Sequence, residues 1–230
     1  GMLQGTDQMR VGGARSTRGR SRGALAALCA MLAFGACGDG APAGDLAVEV
    51  PESFRVSFTT NEGLIEVEFV QEWSPIAVRR VHELGRLGYW DGARIYRVND
   101  RYAQFGYSGQ PELDAEWIQA GIPDEPPASS NVRGTVSFAR GGPGTRSAIL
   151  FINRSDNTDL DDLQWNGVLG FPPVGRVVEG MDVVDALYSG YGDTPMQWED
   201  SIASLGNAFL DRMYPELDSI TDVSLSPAGG

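Results

Sequence analysis

Hydrophobic and polar positions alternate cleanly in the first third of the domain, and the alternation predicts its opening elements. Phe54–Thr59 alternates with period two, and Asn61-Glu62-Gly63 comes next as turn residues. In Leu64–Val70, Ile65, Val67 and Phe69 point one way while Glu66 and Glu68 point the other, which predicts a hairpin with one wet face. Ser74-Pro75 then reads as a helix start, with serine as N-cap and proline at the first helical position. Ala77, Val81, Leu84 and Leu87 recur at helical spacing, Arg79, Arg80, Glu83 and Arg86 take the outer side, and Gly88 ends the helix. His82, the chain's one histidine, falls beside the buried stripe without an acid partner and is assigned a structural place.

Further along, Tyr89-Trp90-Asp91-Gly92 is a turn, and Arg94–Val98 and Tyr102–Tyr107 read as strands. Pro111 to Ser130 reads as a long polar loop in which Pro123, Pro126 and Pro127 exclude regular structure. Two β-rich runs, Thr135–Ala139 and Ile149–Ile152, flank the turn Gly141-Gly142-Pro143-Gly144, and Val174–Val178 makes another strand. Glu179–Leu187 is the second helix, Gly206–Tyr214 a third short helix stopped by Pro215, and Asp218–Leu225 a closing strand. Many short strands and few helices predict a mainly β fold with some α: an antiparallel barrel covered by helices at its ends.

Charge and cysteines change the picture at the N-terminus. Five of the 18 basic residues, Arg10, Arg15, Arg18, Arg20 and Arg22, precede Cys37, whereas Asp7 is the only acid there; the chain's net charge of −13 therefore arises beyond Cys37. An acidic surface of this kind repels nucleic acid, and a nucleic-acid role is rejected. The arginine-rich stretch leads into an apolar run, Ala24–Phe34, which is shorter than the roughly 20 residues a membrane span needs. Gly35-Ala36-Cys37 comes directly after it, resembling the lipobox of bacterial lipoproteins. The expectation is an upstream segment and signal peptide over 1–36, a lipidated Cys37 with a flexible linker over 37–52, and one domain over 53–228. That domain would be exported to the periplasm or cell envelope and tethered to a membrane by lipid; ordinary secretion and a retained anchor are the alternatives. Cys29 would leave with the signal, so the mature domain would rest on its core without a disulfide.

The stretch from Asn131 to Asp185 reads NVRGTVSFARGGPGTRSAILFIN, a polar loop, then GFPPVGRVVEGMDVVD. With RIYRV at Arg94–Val98 and AQFG at Ala103–Gly106, this string closely resembles the cyclophilin family of peptidyl-prolyl cis-trans isomerases, from about Phe54 to Leu187. The resemblance implies a closed eight-stranded antiparallel β-barrel capped by two helices, here with a short C-terminal helix and strand added. It implies a monomer, without cofactor or metal, whose partners are proline-containing unfolded or flexible polypeptides.

The prolyl amide has a rotational barrier of about 18–20 kcal/mol, and lowering it calls for no nucleophile, only a dry pocket for the ring and a cationic donor near the amide. The resemblance assigns the donor to Arg97. Between Arg97 and the glutamine of the family pattern the chain is one residue short. Placing the gap in the turn makes Gln104 that glutamine, with Tyr102 or Arg101 as the aromatic wall; an ungapped reading puts Phe105 there instead. Phe138, Ala139 and Arg140 resemble the strand that lines the substrate groove through its backbone, and Phe151 the floor of the proline pocket. Ile149 stands where the family has glutamine, Phe171 where many members have histidine, and Leu160 is the best match in an enlarged acidic loop over 156–166. Asp159, Asp161 and Asp162 lack the glycine and distal glutamate of a calcium loop. Two readings remain, a working isomerase for exported proteins and a proline-peptide binding module of weak or no activity. A lipocalin-like barrel leaves the FARGGPGT and GRVVEGMDVVD strings unexplained.

Overall fold

Residues 49–228 are described by the computed structural model; the arginine-rich segment, the apolar run, Cys37 and nearly all of the linker lie outside the described residues. Alternation builds the first hairpin as expected: β1 (Ser53–Thr60) buries Phe54, Val56 and Phe58, and β2 (Leu64–Val70) buries Ile65, Val67 and Phe69. The strands β3 (Arg97–Val98), β4 (Tyr102–Phe105), β5 (Thr135–Phe138) and β6 (Leu150–Asn153) come next. A separate small hairpin, β7 (Gln164–Trp165) with β8 (Val168–Leu169), precedes β9 (Pro173–Glu179) and β10 (Ile220–Pro227). The main sheet is antiparallel, in the order β10-β1-β2-β9-β5-β6-β4-β3. Helix α1 (Pro75–Arg86) packs on β2, β9 and β10, and α3 (Met181–Ala186) on β2.

The sheet curls without closing, which corrects the expected closed barrel. The β10 side meets the chain ahead of β3 through the bridge Arg94 to Ser219 and three backbone bonds, from Gly92 N to Ile220 O, Ile220 N to Ala93 O and Ile95 N to Asp218 O. No ladder runs on to β3, whose outer edge carries a bridge from Val98 to Gly192. The expected strand Arg94–Val98 shrinks to its last two residues, its first part being engaged with residues 218–220 instead. Tyr96 turns out of the ladder into a second core with Tyr107, Ile149, Ile202, Phe209, Leu210 and Tyr214, built under α4 (Glu199–Leu205) and α5 (Asn207–Met213). The main core centres on Phe58, whose ring meets Trp90 at 5.8 Å and Phe105 at 5.3 Å.

Two local expectations fail for identifiable reasons. Pro111 does not begin a loop but the first turn of α2 (Pro111–Trp117), where its missing N–H costs no hydrogen bond. The buried Asp114 of α2 accepts bonds from Tyr89 Oη and Ser108 N, both at 2.7 Å, which holds the helix in place. Ser74, expected to cap α1, makes no side-chain capping bond. Glu125 does this from a distant loop, accepting from Ile76 N at 2.8 Å and Ala77 N at 3.1 Å, while Ser74 Oγ donates to Glu125 Oε2 at 2.5 Å. The other end of α1 behaves as its glycine predicts. Gly88 sits at φ +62°, with Tyr89 N bonded to Leu84 O and Gly88 N to Gly85 O, the paired C-terminal closure that a left-handed residue permits.

His82 lies buried on α1, its ring edge-on to Phe54 at 5.0 Å. Desolvation, then the charges of Arg86 and Arg79, hold its pKa below the usual 6.5. The folded state therefore resists a proton that the unfolded chain accepts, and stability is lost as pH falls below 6.5. The urea midpoint is expected to drop between pH 7.5 and 5.5, and His82→Leu to flatten that slope; an unchanged slope would refute the assignment.

Candidate active site

The ladder places the key side chains before any of them touch. Arg97 pairs with Gln104 across β3 and β4, Gln104 with Phe151 across β4 and β6, and Phe151 with Ser137 across β6 and β5. Cross-strand partners share a face, so Arg97, Gln104, Phe151 and Ser137 form one row. The neighbouring row, Val98, Ala103, Ile152 and Val136, is buried in the main core. Arg97, Gln104 and Phe151 of the other row line instead a cleft of about 690 Å³, with Ser137 buried at the end of the row.

Within that cleft Arg97 Nη1 donates to Gln104 Oε1 at 3.0 Å, and its guanidinium lies 5.0 Å from the Tyr102 ring centre. Gln104 is buried and donates onward to Tyr96 Oη at 2.9 Å. Phe151 forms an apolar floor, edge-on to Tyr102 at 5.2 Å and to Phe171 at 6.2 Å, with Leu160 beside it. Arg140 lies 4.6 Å from the Phe171 ring centre and donates to the carbonyls of Val168 and Gly170. Burial lowers the pKa of Arg140, with Asp124 opposing.

The structure thus gathers nine of the sequence-derived positions around one cleft: Arg97, Tyr102, Gln104, Ala139, Arg140, Ile149, Phe151, Leu160 and Phe171. The Phe138 side chain points into the main core opposite Leu150, which is compatible with a strand expected to line the groove through its backbone. Phe105 is likewise in the core against Phe58, so in this register the glutamine, not Phe105, faces the cleft. Arg101 pairs with Asp159 at 2.6 Å, leaving Tyr102 as the aromatic wall. Ile149 contributes an apolar surface backed by the second core.

Sequence reasoning missed a whole side of the cleft. Met196 and Glu199 line it from the segment after α3, and Asp193, from the same segment, accepts a bond from Arg97 Nε at 2.5 Å. Desolvation raises the Glu199 pKa, with the Arg97 charge opposing. Leu163, Trp165 and Asn166, in and beside the β7–β8 hairpin, line another part of the rim. The sequence signal for that rim is Trp165, an aromatic inside the enlarged acidic loop over 156–166. At its centre the cleft offers a guanidinium, an amide and an aromatic floor, a set suited to gripping and polarising an amide rather than to nucleophilic attack.

A family model described as "Cyclophilin type peptidyl-prolyl cis-trans isomerase/CLD" matches residues 55–207. A peptidyl-prolyl cis-trans isomerase of Streptomyces antibioticus is 32% identical over 155 residues, 62% of this chain and 92% of that protein. One from Acinetobacter baylyi is 28% identical over 134 residues, 57% of this chain and 70% of that protein. A Cryptosporidium parvum cyclophilin type peptidyl-prolyl cis-trans isomerase, solved in the presence of the dipeptide Ala-Pro, superposes with a TM-score of 0.53. It shares 19% identity and covers 75% of this chain and 98% of that one.

Gln104→Leu removes the partner of the fully buried Tyr96 hydroxyl, whose pKa burial pushes far up. The expected loss is about 1–3 kcal/mol of unfolding free energy. Adding Tyr96→Phe is expected to recover part of it, and chemical denaturation of both variants checks this.

Proposed function

The chain belongs to the cyclophilin-type peptidyl-prolyl cis-trans isomerases, and on that premise we propose that the cleft over Phe151 turns prolyl bonds in flexible segments of exported or envelope proteins. The observation that carries this reading is the single row in which Arg97, Gln104 and Phe151 meet across three strands. The proline ring rests on Phe151 between Tyr102, Leu160 and Phe171, out of water. As the amide rotates, its C–N bond loses double-bond character and the nitrogen gains basicity. The charged, directional N–H groups of Arg97 are placed to meet it, and Gln104 holds the guanidinium at that angle. No step needs a nucleophile.

Export and a lipid anchor rest on the order arginine-rich stretch, apolar run, Cys37, and on the linker that separates Cys37 from the domain. No helix of the described residues is long and apolar enough to cross a membrane. The second reading, a groove that binds proline peptides without turning them, is supported by Ile149, which lacks the amide of the family's glutamine.

With purified chain, the cis-to-trans rate of an Ala-Pro or Leu-Pro reporter peptide is expected to rise in proportion to protein. Arg97→Ala is expected to remove about 100-fold of the acceleration while the circular dichroism spectrum stays unchanged. Unaltered turnover in that variant would refute the role of Arg97. A folded chain that binds the peptide without accelerating it would favour the binding module.

A further inference from the structure

Arg97 is held on three sides, and one of these holds comes from outside the strands of the sheet. Gln104 takes Nη1 at 3.0 Å, the Tyr102 ring lies against the guanidinium at 5.0 Å, and Asp193 Oδ1 takes Nε at 2.5 Å. Among the described residues Nη2 donates no hydrogen bond, and Arg97 lines the cleft with Phe151. Asp193 is itself fixed: Asn99 Nδ2 donates to the same oxygen at 2.8 Å, and Gly192 before it bridges Val98 on the edge of β3. Desolvation opposes the charge on Asp193, but Arg97 and Asn99 outweigh it and hold the carboxyl below its usual range.

We propose that Asp193 is a positioning residue for the isomerase reaction, fixing the guanidinium of Arg97 by its Nε–H so that the uncommitted Nη2 faces the bound prolyl amide. This rests on the reading of Arg97 as the donor. An arginine has several rotatable bonds, and a donor that must meet a nitrogen only in the transition state gains rate when those bonds are already set. An ion pair with one partner this exposed adds little to stability, so the contact should show in turnover rather than in melting. Two properties of the carboxylate separate cleanly. Asparagine keeps the accepting oxygen and loses the charge, whereas alanine loses both.

The test compares the wild-type chain with Asp193→Ala and Asp193→Asn, using the Leu-Pro reporter and the Arg97 Nε–Hε resonance. Asp193→Ala is expected to lower kcat by roughly 3- to 10-fold with KM and the thermal midpoint nearly unchanged. The Hε signal should be slow to exchange in the wild type and lost in that variant. Asp193→Asn should restore most of both. In an Arg97→Lys background, Asp193→Ala should have no further effect on rate. Wild-type or higher turnover in Asp193→Ala overturns the proposal, as does an equal loss in the Arg97→Lys background. An Hε signal unchanged by Asp193→Ala overturns it whether or not the wild type turns over; an inactive wild type with the Hε change intact would instead refute the reading of Arg97 as donor.

Discussion

The architecture of the cleft hangs on the buried cation Arg146. The Arg146 side chain is 1% exposed, and its charge is met by Glu125, itself 8% exposed, at 3.0 Å. It also donates to Ser74 Oγ at 3.2 Å and to the carbonyl of Pro123. One guanidinium thus ties together the start of α1, the segment C-terminal to α2 and the glycine-rich turn before β6. Two of these supply cleft residues: Ile118 and Gln119 precede Glu125, and Thr145 and Ser147 flank Arg146. A buried pair of this kind contributes little net stability over an apolar substitute, yet losing one partner leaves a charge uncompensated at a cost of about 3–5 kcal/mol. The arrangement is therefore all or nothing, which suits a wall that must have one shape.

A second buried network does the same for the proline floor. Asn131 donates to Asp161 Oδ1 at 2.7 Å and to the carbonyl of Phe171 at 2.8 Å, and accepts from Ser137 Oγ at 2.9 Å and Asn153 Nδ2 at 3.1 Å. Phe171 N in turn bonds Leu160 O at 3.0 Å. Leu160 and Phe171 are held against Phe151 by polar groups satisfied among themselves, a preorganised apolar site rather than a soft one. Two of the three acids weighed for calcium are engaged here as well, Asp161 with Asn131 and Asp159 with Arg101.

The remaining wall comes from the segment between α3 and β10, which bridges the β3 edge through Gly192 and brings Asp193, Met196 and Glu199 to the cleft beside Arg97. The same excursion buries Tyr96 and Tyr107 under α4 and α5, so the interruption of the ladder and the added wall are one structural event.

Whether a feature could be read beforehand depends on the distance along the chain over which it is decided. The β1–β2 hairpin, the apolar face of α1 as far as Leu84 and its closure at Gly88 were legible, because periods of 2 and 3.6 and a left-handed glycine are properties of a few consecutive residues. Leu87, expected in the same stripe, lies exposed at the helix end. Arg97, Gln104 and Phe151 were legible through motif strings, and their meeting needed only correct strand register. The cap of α1 was not, since Glu125 lies 51 residues beyond Ser74. Nor was the contact of Asp193 with Arg97, 96 residues apart, or the bridge of Gly192 to the edge of β3. Local pattern chose the elements and the chemistry of the cleft; packing chose who caps, who pairs and whether the sheet closes, because those outcomes depend on which distant groups win the same few unsatisfied donors and edges.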